Sequence, residues 1–74
     1  MTAYLVLVLL LVPSQGGTAL QTELHQEVVS ASSDEACQRH ADKLADEQRR
    51  KHLETVRKTR GLVVGECRRL GSIT

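Results

Sequence analysis

The chain has 74 residues, with 10 basic and 9 acidic side chains, and Tyr4 is its single aromatic residue. A chain this short buries only a thin hydrophobic core, and this one lacks the large aromatic side chains that dominate small cores. It is also too short to build the preorganised cleft that catalysis needs. We therefore predict that the protein is not an enzyme and uses no cofactor and no small-molecule substrate.

The charges are segregated along the chain. Residues up to Gln38 carry 4 acidic and no basic side chains, and residues from Arg39 carry 10 basic and 5 acidic ones. The two parts thus have formal charges of −4 and +5. The basic part can contact an anionic membrane surface, or the acidic part can fold back along it. Nucleic acid is not an expected partner, because aromatic stacking residues are missing from the basic part.

An apolar run occupies residues 3–12 and is followed by a proline and two glycines. Its length is typical of a signal-peptide core, whereas a helix that spans a bilayer needs about 20 apolar residues. Small residues at Gly17 and Ala19 predict cleavage between Ala19 and Leu20. We interpret 1–19 as the signal peptide of an exported or secreted protein. The alternative is a short uncleaved membrane anchor, since no basic residue precedes the run.

Residues 20–74 are predicted to form one small helical unit. Leu20, Leu24 and Val28 recur at intervals of four residues, which favours a short amphipathic helix. The serine-rich segment 30–34 then predicts a turn, because its side chains compete for backbone hydrogen bonds.

The strongest pattern predicts a long helix after this turn. Ser33 or Ser32 can cap its N-terminus, and two acidic residues follow in the first turn. Residues 36–60 contain no Gly or Pro, and Gly61 supplies a stop signal. The apolar residues 62–64 begin an extended C-terminal tail that packs on the helix. The predicted fold class is therefore all-α: a short helix, one long amphipathic helix and an extended tail.

The two cysteines constrain this prediction. An unbroken helix from Cys37 to Arg60 is about 35 Å long. The residues from Gly61 to Cys67 reach at most about 24 Å, and a disulfide adds about 6 Å. An intrachain disulfide therefore requires the helix to break into a hairpin, for which 55–59 is the weakest stretch. Otherwise the cysteines stay free or pair between chains, and the lack of turn residues favours the unbroken helix.

A metal site is not predicted. Cys37 and His40 share a helical face, and Cys67 with His25 or His52 would complete four zinc ligands. A convincing zinc motif has two closely spaced ligand pairs, and this sequence has only one.

The apolar stripe of the long helix is the predicted binding surface for a protein partner or for a second copy of the chain. Its residues are Ala41, Leu44, Ala45, Leu53 and Val56. The predicted function is that of a small exported, non-enzymatic protein with a regulatory or accessory role. One alternative is a membrane-anchored accessory or assembly subunit. A second is a secreted peptide precursor, cut at the basic residues 49–51 and 68–69.

Overall fold

The chain forms a three-stranded antiparallel sheet with a helix packed on one face, in a computed structural model that describes residues 1–14 and 16–72. The strand order is β2-β1-β3. In chain order the elements are β1 (Thr2–Val12), β2 (Leu20–Ala31), α1 (Asp34–Lys51), α2 (Leu53–Thr59) and β3 (Leu62–Ser72).

The predicted all-α fold class is wrong. Residues 20–31 form a strand in place of the predicted short helix. The four-residue interval between Leu20, Leu24 and Val28 does not separate the two structures, because it is also twice the two-residue repeat of a strand. The predicted extended tail is the edge strand β3, which pairs with β1 along its length. Both errors have one cause, since the strand that pairs with these segments was interpreted as a signal peptide.

The apolar run 3–12 lies in the central strand. β1 pairs with β2 on one side and with β3 on the other, and the described pairing contains no direct contact between β2 and β3. Near-continuous apolar sequence suits a strand that is buried on both faces. Cleavage after Ala19 would remove this strand, so this fold requires that residues 1–19 stay on the chain. Whether the cell removes them stays a prediction.

The helical region starts where the sequence predicts and breaks where it does not. The Ser33 side chain accepts a hydrogen bond from the Ala36 N–H, and the two acidic residues occupy the first turn. The helix is interrupted at His52, whose φ of −114° and ψ of 29° depart from helical values. The final turn ends at Arg60, which takes the left-handed conformation with a φ of 55°.

The core lies between β1 and α1. Alternate residues of β1 are buried, and Tyr4 and Val6 form one cluster with Cys37 and Ala41. At Gly65 the backbones of β3 and α1 meet so closely that an added Cβ would lie 2.4 Å from the Ala41 carbonyl oxygen. A residue with no side chain is therefore required at this contact.

Cys37 and Cys67 form an intrachain disulfide, with their Cα atoms 6.3 Å apart. The unbroken helix that the sequence favours is therefore wrong, and the break lies at His52, before the predicted stretch 55–59. From Cys37 to the end of α1 at Lys51 the helix rises only about 21 Å, a distance that the return path can span.

Candidate functional site

The face of the sheet opposite α1 carries a row of leucines. Because successive side chains of a strand point to opposite faces, the residues between the buried ones point away from the helix. On β1 these are Leu5, Leu7, Leu9 and Leu11, each of which is half-buried by the neighbouring strands. The row extends over most of the central strand.

Apolar side chains of the two edge strands widen this row. Leu5 pairs with Val28, Leu9 pairs with Val64, and Leu11 pairs with Leu62. Paired residues of neighbouring strands lie on the same face of a sheet. Val28 and Leu62 are 65% and 61% exposed. We call the resulting surface the open face; its apolar residues are Leu5, Leu7, Leu9, Leu11, Val28, Leu62 and Val64.

No other described part of the chain covers the open face. The Cα atoms extend 45 × 25 × 16 Å along the principal axes. Packed layers of secondary structure lie about 10 Å apart, so the shortest dimension accommodates the sheet and α1 only. The buried residues of the described chain accordingly lie on the α1 side of the sheet and at its margin. In the described chain, therefore, no second layer of secondary structure packs on the open face.

The predicted binding stripe does not stay together in the structure. Ala41 and Ala45 are buried against the sheet, and Leu44 packs at the edge of the same core. Leu53, which is 43% exposed, and the half-buried Val56 lie on α2, beyond the break at His52. The sheet of the same chain therefore already occupies the first half of the stripe. The binding role of these residues stays a prediction.

A polar cluster links β1, β3 and the start of α1. Tyr4 donates a hydrogen bond to Asp34, and the Arg69 guanidinium donates to both oxygens of that carboxylate, at 2.7 and 2.8 Å. These contacts hold the pKa of the Asp34 carboxyl below its usual value, the Arg69 guanidinium being the largest cause. The same carboxylate raises the pKa of Tyr4. Because Asp34 and Arg69 are both exposed, the cluster orients the helix more than it stabilises the fold.

A second cluster joins β2 to α1. Each carboxylate oxygen of Glu27 contacts one imidazole, that of His25 at 2.6 Å and that of His40 at 3.1 Å. Hydrogen bonding to His25 and then to His40 lowers the pKa of Glu27. A shallow cleft of about 490 Å³ opens at the surface beside this cluster, and His40 and Met1 are among the residues that line it.

The cysteines considered as zinc ligands are oxidised. Cys37 and Cys67 share their disulfide, so neither has a thiolate to offer a metal. Across 1–14 and 16–72, the side chains of His, Cys, Asp and Glu form no group of three or more suited to a metal ion. His25 and His40 are instead both engaged by Glu27.

The leucines of the open face were missed because their run was assigned to a signal peptide. The signal that identifies a strand is the alternation within the run. The β-branched Val6 and Val8 occupy two of the four buried positions of β1, and Leu5, Leu7 and Leu9 alternate with them. β-branched residues are enriched in strands, so alternating Val and Leu indicates a strand with two different apolar faces.

Comparisons with known proteins identify no relative of this chain. No protein-family model matches the chain, and no curated protein and no solved structure is significantly similar to it. Within the described residues, every helix is too short or too polar to cross a membrane.

Proposed function

We propose that this protein is a small, non-enzymatic protein-binding module with a regulatory or accessory role, and that the open face is its docking surface. The observation that carries the proposal is the row of four leucines along the central strand, widened by three apolar residues of the edge strands. Soluble monomers rarely expose contiguous apolar surface beyond a few hundred Å², and larger patches mark interaction sites.

The size of the open face fits this role. Strands of 11 residues are about 37 Å long, and three strands are about 14 Å wide, so the face measures about 500 Å². That area is comparable with one side of a modest protein interface. The flanking polar residues on the same face, Gln21, Gln26 and Glu23, lie on the β2 side as a polar rim does.

The disulfide supports an oxidising compartment, as expected of an exported protein. If the protein is secreted in this fold, processing must leave β1 on the chain, because β1 is the central strand of the sheet. The peptide-precursor alternative has less support. Residues 49–51 lie in the last turn of α1 and residues 68–69 lie within β3, and cleavage of regular structure requires local unfolding.

The test is capture of binding partners by the immobilised full chain from an extract of the native source. The probe variant combines Leu7→Lys and Leu9→Lys, which place two charges at the centre of the open face. The matched control is Leu20→Lys, which adds a charge at an exposed apolar residue of β2 that pairs with Val12 on the α1 side of the sheet. Far-UV circular dichroism verifies that all forms are folded.

We expect the immobilised wild type and the immobilised control to capture the same proteins, and soluble copies of this chain count among them. The probe variant should not capture these proteins. A probe variant that captures the same proteins as the wild type would show that the docking surface lies outside the open face. A wild-type chain that retains nothing would overturn the proposal.

A further inference from the structure

We infer that the occupant of the open face is a second copy of this chain, bound sheet to sheet around a two-fold axis. This inference rests on the proposed function, because it names the partner of the same surface. The resulting dimer has four layers, with the two sheets inside and one α1 helix on each outer side.

The area of the open face meets the need of a dimer. Two faces of about 500 Å² bury about 1,000 Å² in total, which is the lower limit for a specific interface. Two sheets that pack face to face lie about 10 Å apart and interdigitate their side chains over the full surface. A second copy brings a surface of the same length and width, so each copy covers most of the leucine row of the other.

The sequence of β1 also favours a second layer of structure on the open face. A strand buried on one face normally alternates apolar with polar residues, whereas near-continuous apolar strands have both faces covered. In β1 the apolar residues continue on both faces from Ala3 to Val12. The α1 helix covers one face only. A copy of the chain supplies the missing layer without requiring any other molecule.

The charges that β3 contributes to the open face have both signs, and the remaining charged residue of this face, Glu23, lies on β2. Glu66 and Arg68 are neighbours on the open side of β3, where they pair with Leu7 and Leu5, and their side chains form an ion pair at 3.3 Å. In a two-fold interface, a contact from residue i to residue j is repeated from j to i. With the two-fold axis across the strands at the level of Val6 and Cys67, Glu66 of one copy meets Arg68 of the other, and the reverse contact forms at the same time. A face of a single charge sign would repel its own copy.

The experiment measures the oligomeric state of the purified full chain by sedimentation equilibrium over a wide concentration range, with the disulfide intact. We expect a reversible dimer for the wild type and for the Leu20→Lys control. Leu7→Lys should raise the dissociation constant at least about 30-fold, the size expected of a residue at the centre of an interface. Circular dichroism verifies that the variant is folded.

A charge-swap series tests the pairing without altering the leucines. Glu66→Arg alone and Arg68→Glu alone should each weaken the dimer, because each places like charges together across the two-fold axis. The double variant E66R/R68E exchanges the two charges and should restore the wild-type dissociation constant. Both substituted positions are partly exposed, so this series does not depend on the folding of Leu7→Lys.

A wild-type chain that stays monomeric at every concentration overturns the inference. If that chain still captures another protein through Leu7 and Leu9, the open face binds a different partner and the proposed function stands. If it captures nothing, both proposals fail. A dimer that Leu7→Lys leaves unchanged also overturns the inference, because the copies would then associate through strand edges or through the helices.

Discussion

The two faces of the sheet differ in what covers them, although the same strand supplies the middle of both. On the α1 side, Val6 and Val8 are fully buried, and the helix is held by a disulfide and by the close approach at Gly65. On the other side, Leu5 and Leu7 are half-buried, and no element of the described residues packs over them. The α1 face therefore maintains the fold of one chain, whereas in the described residues the open face has no covering layer.

Removal of the strand that both faces share should have the largest effect. Deletion of residues 1–19 leaves β2 and β3 without a hydrogen-bonding partner and exposes the core side of α1. We expect the truncated chain to lose its strand content, as measured by far-UV circular dichroism beside the full-length chain. It should also bind a hydrophobic dye, as measured by the fluorescence of the dye. Intact mass of the protein from its native source shows whether the cell makes this cut. A truncated chain that folds as well as the full one would contradict the central role of β1.

Loss of the disulfide should weaken the α1 face next most. The Cys37–Cys67 bond has a sequence separation of 30 residues. In the chain-entropy model a loop of this size contributes about 3.5 kcal/mol to the free energy of unfolding. Urea denaturation of the double variant Cys37→Ala/Cys67→Ala should show a loss of this size, and reduction of the wild type should reproduce it. Unchanged stability in both cases would mean that the bond does not constrain the unfolded chain.

Gly65→Ala should separate β3 from α1. The new Cβ would lie 2.4 Å from the carbonyl oxygen of Ala41, so one backbone must move. We expect a loss of about 3 kcal/mol in the free energy of unfolding, the upper part of the range for overpacked cores. Gly61→Ala is the matched control, because its Cβ would meet the movable end of the Leu10 side chain. Equal losses at both positions would contradict the close backbone contact.

A pair of neighbouring truncations compares the two faces directly. Val6→Ala removes buried atoms from the α1 face and should cost about 2 kcal/mol. Leu7→Ala removes more atoms but from the open face, so in dilute monomer it should cost less than about 1 kcal/mol. Urea denaturation at low protein concentration measures both. A larger loss in the free energy of unfolding for Leu7→Ala than for Val6→Ala would mean that the open face is already covered within one chain.

Acid should produce the smallest effect, and only through the α1 face. The pKa of Asp34 lies below its usual value, chiefly because of Arg69, and the pKa of Glu27 is lowered by His25 and His40. A carboxyl with a depressed pKa in the folded state stabilises above its unfolded pKa of about 4, and this contribution is lost as the pH falls through the folded value. Urea midpoints should therefore decline below about pH 4. Asp34→Asn should flatten that decline, and an unchanged profile would show that the Asp34 contacts do not persist in solution.

Local pattern predicts one part of this fold correctly. Ser33 caps α1 and the acidic residues Asp34 and Glu35 follow it, as expected from hydrogen bonds and charges within one helical turn. The reach of the chain also shows correctly that a Cys37–Cys67 disulfide and an unbroken helix exclude each other. These conclusions depend on residues close in sequence or on chain length alone, which is why they need no knowledge of the fold.

The sheet, by contrast, depends on contacts between distant residues. Thr2 pairs with Ala31 on one side and with Ser72 on the other, and no local pattern indicates such partners. An apolar run of ten residues suits a signal peptide and a buried strand equally, and only the pairing on both sides shows that the run forms a strand in this fold. The same pairing decides that the leucines of β1 lie together on the open face. Helix caps follow from neighbours in sequence, whereas strand partners and uncovered surfaces exist only once the whole chain has folded, because they are properties of non-local contacts.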